Sequence, residues 1–124
     1  MNTFSVTILE SSKELTPKEK IMLKDTSNAI KLDEACNDGS LVINPVAYVI
    51  LSIHNPKSDN PDYENYLILA DDGKKYVTGS TSFWNAFTAI WEEMADAGEY
   101  YPIEIFKRDS KNYKGKQFIS CAVC

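Results

Sequence analysis

The last quarter of the sequence carries a cluster of basic and aromatic side chains whose chemistry suits a polyanion. Residues 101–124 hold five Lys and Arg residues against Glu104 and Asp109, a net charge of +3, whereas residues 1–100 hold 8 basic against 16 acidic residues, a net charge of −8. A basic stretch in an acidic chain presents a local positive field to an anion. Strands predicted on either side, Ile103–Phe106 and Phe118–Val123, would make this stretch a β-hairpin with a long basic tip. The alternative interpretation is that this tip is only a solvated loop. The candidate contacts are Lys107, Arg108, Lys111, Tyr113, Lys114 and Lys116.

Further basic and aromatic residues lie in other predicted strands. Proteins that bind single-stranded nucleic acid combine a positive groove with rings on which bases stack. Tyr is a better candidate for stacking than Phe because its hydroxyl group requires water or a polar partner. Phe106 and Phe118 also lie in predicted strands, where a Phe is more often part of the core. The additional candidates are Lys74 and Lys75 for phosphate groups and Tyr48, Tyr66 and Tyr76 for bases.

Few residues could support a metal site or catalysis. Cys121 and Cys124 have C-x-x-C spacing, and Cys36 and His54 would complete a zinc set on paper. Residues three apart in a strand point to opposite faces of the sheet, so we predict that Cys121 belongs to the core. No glycine-rich phosphate-binding motif occurs, and the single His has no Ser or Cys partner in a catalytic motif. We therefore expect a non-enzymatic protein without a metal or a cofactor.

Size and composition indicate one globular domain. The chain has 124 residues, of which 44% are hydrophobic and 25% charged, and both fractions are ordinary for a globular protein. No apolar run approaches the roughly 20 residues that a membrane span requires. The N-terminal sequence lacks the basic and long apolar regions of a signal peptide. An odd number of cysteines argues against a disulfide framework, so we expect a cytoplasmic protein.

The first third of the chain is predicted to form short strands and one short helix. Phe4–Leu9 alternates apolar and polar residues, as a strand does. Thr-Pro-Lys-Glu at 16–19 is a helix-start signature, although Ile21–Lys24 is equally compatible with a strand. We predict a strand at Ala29–Leu32 and a helical turn at Asp33–Cys36.

The remainder of the chain has stronger patterns. Val46–Ile53 is the most apolar run, and its β-branched content favours a buried strand. Apolar residues on one helical face, with Ser residues before them and Gly98 after them, predict one long helix. The predicted elements are strands Val46–Ile53, Tyr63–Ala70 and Lys74–Gly79, a helix from Phe83 to about Ala97, and strands Ile103–Phe106 and Phe118–Val123.

This order of elements predicts a β-rich α+β fold. Three strands, a helix and two strands are the elements of an OB-fold, a five-stranded, partly open Greek-key barrel with one long helix between strands three and four. An open α+β sheet would give the same order. We expect a single domain in which residues 1–44 form an N-terminal extension and residues 45–124 an OB-like core. The ligand loops of such a core would be Asn55–Asp62 and Asp109–Lys116.

Four segments of the chain together resemble a known class of protein. Lys20–Ala35, His54–Leu69, Lys75–Phe87 and Ser110–Cys121 look like the small single-stranded DNA-binding proteins of bacteriophages that infect Gram-positive bacteria. The most specific parts are SKNYKGK in the last segment and TGSTSFW in the third. The resemblance implies an OB-fold protein that coats DNA during phage replication or recombination in the host cytoplasm. It assigns no DNA contact.

Other partners follow from the same sequence. Many bacterial single-strand binders carry an acidic tail that recruits proteins, whereas this sequence ends at Cys124, so we do not expect that route of recruitment. The alternative function is a small acidic phage protein that inhibits, or is sensed by, a host nucleic-acid enzyme or defence system. A metal-dependent nuclease is a more distant possibility. A homo-oligomer could form through an exposed strand edge such as Phe4–Leu9.

Overall fold

The computed structural model describes residues 5–25, 29–36, 39–57, 59, 61–109 and 117–123, with the backbone alone at positions 109, 117 and 118. Within these ranges the chain is a mixed α/β protein, rich in strands, with two sheets and one long helix. The elements are β1 (Ser5–Ser11), α1 (Pro17–Lys24), β2 (Ile30–Lys31), α2 (Leu32–Ala35), β3 (Leu41–Ile43), β4 (Pro45–His54), β5 (Asp62–Ala70), β6 (Lys75–Thr78), α3 (Thr81–Ala97), β7 (Ile103–Asp109) and β8 (Gln117–Val123).

Helix α1 begins at the predicted signature. The Thr16 hydroxyl oxygen accepts a hydrogen bond from the backbone N–H of Glu19, and the Glu19 carboxylate accepts one from the backbone N–H of Thr16. This capping box satisfies two of the free N–H groups at the helix start. The helix continues to Lys24 and buries Leu23, so the strand alternative for this stretch is wrong.

The larger sheet contains five strands in the order β1-β4-β5-β6-β2. Strands β4, β5 and β6 form an antiparallel meander, and Gly73 makes the turn between β5 and β6 with a φ of 84°, where a residue without Cβ is favoured. Strand β1 pairs with β4 at one edge and carries a bulge between Ile8 and Glu10. At the other edge β2 runs parallel to β6. The N-terminal extension therefore adds strands to both edges.

The smaller sheet has the order β3-β7-β8, and all its pairs are antiparallel. Its first strand, β3, is separated from β4 by Asn44 alone, so residues 41–54 supply two successive strands to two different sheets. Strand β3 has no counterpart among the predicted strands, because three residues are too few to show a period of two. Strands β7 and β8 form the predicted hairpin, in register from Ile103 opposite Val123 to Asp109 opposite Gln117.

Helix α3 confirms the strongest prediction from the sequence. The Ser80 hydroxyl oxygen accepts a hydrogen bond from the backbone N–H of Phe83. Gly98 ends the helix with a φ of 70°, a left-handed conformation that favours glycine. Trp84, which the pattern places at the edge of the apolar face, is buried. The apolar face is therefore wider than expected.

Two hydrophobic clusters lie on opposite faces of the five-stranded sheet. Alternate residues of β4 divide between them, because successive side chains of a strand point to opposite faces: Tyr48 and Ile50 pack with α3 and the three-stranded sheet, whereas Val49 and Leu51 pack with Leu23 of α1. Helices α1 and α3 therefore cover opposite sides of the same sheet.

The predicted five-stranded barrel is only partly observed. The five predicted core strands and the helix between the third and fourth are present. However, no strand pairing among the described residues joins the two sheets into a closed barrel. The helices that the structure describes include none that is long and apolar enough to cross a membrane.

Candidate nucleic-acid interface

The three-stranded sheet has one buried face and one face open to solvent. Ile43, Ile103, Ile105, Ile119 and Cys121 point into the core. The residues between them point outwards, and those directly opposite one another on neighbouring strands share this face. We call it the outer face; it comprises Val42 of β3, Glu104, Phe106 and Arg108 of β7, and Ser120 and Ala122 of β8.

Phe106 is the aromatic residue that stands out on this face. It lies between buried Ile105 and partly buried Lys107, is itself only partly buried, and belongs to neither hydrophobic cluster. Its pairing partner is the small residue Ser120. A partly exposed ring on a strand is a surface on which a base can stack. The sequence already indicated that Phe106 lies on the outer face, because the apolar residues Ile103 and Ile105 occupy the alternate positions of the same strand.

Arg108 lies on the same face, two residues after Phe106. Its side chain is exposed, and its backbone pairs in register with Phe118. Lys107 points to the opposite side of the strand, because successive side chains of a strand alternate between its two faces. Burial raises the pKa of the Cys36 thiol, and the positive charge of Lys107 lowers it by a smaller amount. Of these two neighbouring cations, the structure brings Arg108 to the outer face with Phe106 and directs Lys107 away from it.

The other candidates of the hairpin belong to the connection between β7 and β8. Lys111, Tyr113, Lys114 and Lys116 lie outside the residues that the structure describes. The chain enters this segment from β7 at Asp109 and leaves it into β8 at Gln117, and these two positions are paired. The segment is therefore joined at both ends to the strands that carry the outer face.

The three tyrosines predicted to stack on bases are in the core or partly buried. Tyr66 is 6% and Tyr76 is 4% exposed, and burial is the main cause that raises the pKa of each. Tyr48 is partly buried and packs edge-on against Trp84 and Trp91 of α3. Buried rings cannot present a flat face to a base, so Tyr66 and Tyr76 are not part of the candidate site. Tyr48 has no stacking role either, because its ring packs against α3.

The two lysines after the Gly73 turn have different surroundings. The Lys75 ammonium donates hydrogen bonds to the carbonyl oxygens of Met22, at 3.0 Å, and Asp25, at 3.1 Å. These carbonyls lie at the C-terminal end of α1, where a positive charge is favourable. Lys75 therefore binds the end of α1 and does not serve as the predicted phosphate contact. Lys74 is exposed, with its ammonium 3.9 Å from the Asp72 carboxylate.

The residues considered for zinc or catalysis do not converge. His54 Nδ1 lies 2.7 Å from Asp62 Oδ1 where β4 ends and β5 begins. Cys36 and Cys121 are buried in the core, and burial raises the pKa of the Cys121 thiol to about 11. Cys124 lies outside the described residues. In the part of the chain that the structure describes, no three His, Cys, Asp or Glu residues come together as metal ligands.

Comparisons with known proteins leave the interface to be judged by its own geometry. No protein-family model, no curated protein and no solved structure matches the chain.

Proposed function

We propose that this protein binds single-stranded DNA without sequence preference, through the outer face and the basic hairpin segment that continues from it. The observation that carries the proposal is the pair Phe106 and Arg108, a partly exposed ring and an exposed guanidinium group on the same side of β7. In this proposal the protein coats DNA during phage replication or recombination, in the cytoplasm of the bacterial host.

The chemistry of this face suits single strands better than duplexes. Only unpaired bases offer their flat faces to a ring, and stacking tolerates every base because each has a π-face. A guanidinium group contacts backbone phosphates and also stacks on planar groups. Ring stacking and phosphate contacts do not read the hydrogen-bonding edges of bases, so binding should depend on strand length and salt more than on sequence.

The strand order supports an OB-like core as part of this proposal. Residues 41–54 form β3 and β4 in direct succession, and this stretch contributes to both sheets. The meander β4-β5-β6, helix α3 and the hairpin β7-β8 then follow in the order of an OB-fold. In this interpretation the β7-β8 connection is the ligand loop between the last two strands. The N-terminal extension adds β1, β2 and α1 around the core.

The test is a fluorescence anisotropy titration of a labelled oligo-dT of roughly 30 nucleotides at two salt concentrations. We expect an increase in anisotropy that weakens as salt rises, because binding releases counterions from the phosphates. Unlabelled duplex DNA should compete poorly. If the anisotropy stays flat at low salt, the proposal is wrong, and the acidic interaction protein becomes the better interpretation.

Substitutions then locate the site. Phe106→Ala should weaken binding by about 1–3 kcal/mol, the usual contribution of one stacked base. Leu9→Ala is the control, because it also shortens an apolar side chain that belongs to no buried cluster but lies on β1 of the other sheet. Lys111→Glu and Tyr113→Ala test the hairpin segment, and unchanged affinity in both at low salt would remove that segment from the site.

A further inference from the structure

An apolar groove lies between α3 and the end of β8, away from the outer face. Its volume is about 390 Å³. One wall is formed by the chain that follows α3, where the backbone N–H of Tyr101 donates a hydrogen bond to the Met94 sulfur and Tyr100 packs against Trp91. These contacts fix the wall before any ligand arrives. The residues that line the groove are Ala89, Ile90, Glu93, Met94, Tyr101 and Val123.

The helix on one side of this groove is acidic, and one of its carboxylates, Glu93, lines the groove. Helix α3 contains Glu92, Glu93 and Asp96 but no Lys or Arg, and none of the three forms an ion pair among the residues that the structure describes. They lie in the last two turns of the helix, where the macrodipole makes negative charge unfavourable. A positively charged partner would relieve this repulsion. The groove therefore suits an apolar side chain flanked by cations.

Helix α1 presents such a surface. Ile21 is 72% and Met22 is 55% exposed. Leu23, the next residue of the helix, is buried against the sheet. Lys18 and Lys24 lie three residues before and after Ile21, so all three share one side of the helix. Neither lysine forms an ion pair within the described ranges. The surface is an apolar centre flanked by two ammonium groups.

We propose that α1 of one copy docks in the α3–β8 groove of a second copy, with Ile21 in the groove and Lys18 and Lys24 against Glu93 and Asp96. The charges are complementary, and both surfaces have an exposed apolar centre. Burying exposed apolar area contributes roughly 25 cal/mol per Å², and the surrounding opposite charges set the orientation and speed the encounter.

The position of the two surfaces makes the contact head-to-tail. Helices α1 and α3 pack on opposite faces of the five-stranded sheet, so each copy carries the two halves of the contact on opposite sides. A contact between two different surfaces that does not close into a ring produces an open chain of copies. The contact needs no DNA. The role of this contact, which is to place successive copies along one DNA strand, rests on the proposed function.

Sedimentation velocity of the full chain without DNA tests the contact. At low salt the average mass should rise steadily with protein concentration beyond two copies, and raising the salt should reverse this because exposed charges are screened. The double variant Lys18→Glu/Lys24→Glu and the double variant Glu93→Lys/Asp96→Lys should each associate at least tenfold more weakly. Lys31→Glu/Lys57→Glu, which changes charge equally at exposed sites elsewhere, should associate like the original protein.

An equimolar mixture of the first two variants is the decisive sample. Each variant repels itself, but the reversed α1 of one matches the reversed α3 of the other, and the two unchanged surfaces match as well. The mixture should therefore regain association. A protein that stays monomeric, a mass that stops at two copies, or a mixture that does not associate would each overturn the proposal.

Anisotropy with oligo-dT separates this proposal from the proposed function. The two variants, which are monomeric in this proposal, should still bind a short oligonucleotide that holds one copy, because Phe106 and Arg108 are unchanged. On a long strand they should lose the cooperative rise that the original protein shows. If the long strand is bound with equal cooperativity by the original protein and by both variants, the head-to-tail contact is wrong even though DNA binding stands.

Discussion

The ring of Tyr66 stacks on the ring of Trp84, with 4.7 Å between the centroids and 11° between the planes. This contact joins β5 to the first turn of α3. The Tyr66 hydroxyl group reaches the edge of the core and donates a hydrogen bond to the Glu64 carboxylate. Both flat faces of a stacked, buried ring are unavailable to a ligand, so the pair belongs to the packing of helix against sheet.

Truncation of this pair should therefore affect stability. Trp84→Ala is expected to lower the free energy of unfolding by about 3–5 kcal/mol, because it removes a large buried ring and leaves a cavity. Phe106→Ala should change stability by less than about 1 kcal/mol, since that ring belongs to neither core cluster. Urea unfolding followed by tryptophan fluorescence measures both, with Trp91 as the remaining fluorophore in Trp84→Ala. Equal effects of the two substitutions would contradict the division between core ring and surface ring.

The Arg108 side chain should contribute to the salt dependence of DNA binding. Arg108→Gln removes one cation from the outer face, so a plot of the logarithm of affinity against the logarithm of salt should become shallower by about 0.7, the value for one phosphate contact on a single strand. Lys57→Gln is the control, because Lys57 is exposed in the β4–β5 connection. A slope that stays the same in Arg108→Gln would place the phosphate contacts elsewhere.

Lys75 should act on stability and leave DNA affinity unchanged. Lys75→Met keeps much of the side-chain length but removes the hydrogen bonds to Met22 and Asp25, and we expect a loss of about 1 kcal/mol in the free energy of unfolding. Lys74→Met is the matched control at the neighbouring exposed position. A loss of DNA affinity in Lys75→Met at unchanged stability would restore Lys75 to the phosphate contacts that the sequence predicted.

Alkaline pH should destabilise the protein in part through Cys121. Burial raises the pKa of this thiol from about 9 to about 11, so between these values the unfolded chain has lost the proton and the folded chain retains it. The folded state then binds more protons, and the free energy of unfolding falls as pH rises from 9 to 11. Burial also raises the pKa of Tyr48, Tyr66 and Tyr76, which act in the same direction.

The measurement is urea unfolding at several pH values for the original protein and for Cys121→Ala. The variant should be less stable at neutral pH, because it loses packing, and its stability should decline less steeply above pH 9. Profiles that run parallel across the whole range would show that this thiol ionises equally in the folded and unfolded states.

Several elements were predictable because their signals are local. The capping box at Thr16 and Glu19, the Gly73 turn and the Gly98 cap each depend on residues within one or two turns of the chain. The apolar period of α3 and the unbroken apolar run of β4 report burial directly. Strand β3 was missed, since its three residues are defined by pairing with β7 and not by any pattern of their own.

Among the described residues of the candidate site, charge singled out Arg108, whereas the choice of rings did not include Phe106; Lys111, Lys114 and Lys116 lie outside the described residues. The hairpin stands out by charge, and charge can be counted without knowing the fold. The choice among rings depends on which face of a sheet becomes the core. The general preference for Tyr at surfaces favoured Tyr66 and Tyr76, which are buried, over Phe106, which is partly exposed.

The sequence by itself determined helix α3, the Gly73 turn, the five core strands in their chain order and the location of the basic segment, because each depends on neighbouring residues. Only the tertiary structure decided that α1 and α3 cover opposite faces of one sheet, that Lys75 binds the end of α1, and that Phe106 and Arg108 share an open face. These relationships join residues far apart in the chain. Strand pairing and packing fix them, and no local pattern records which face of a strand a distant element will cover.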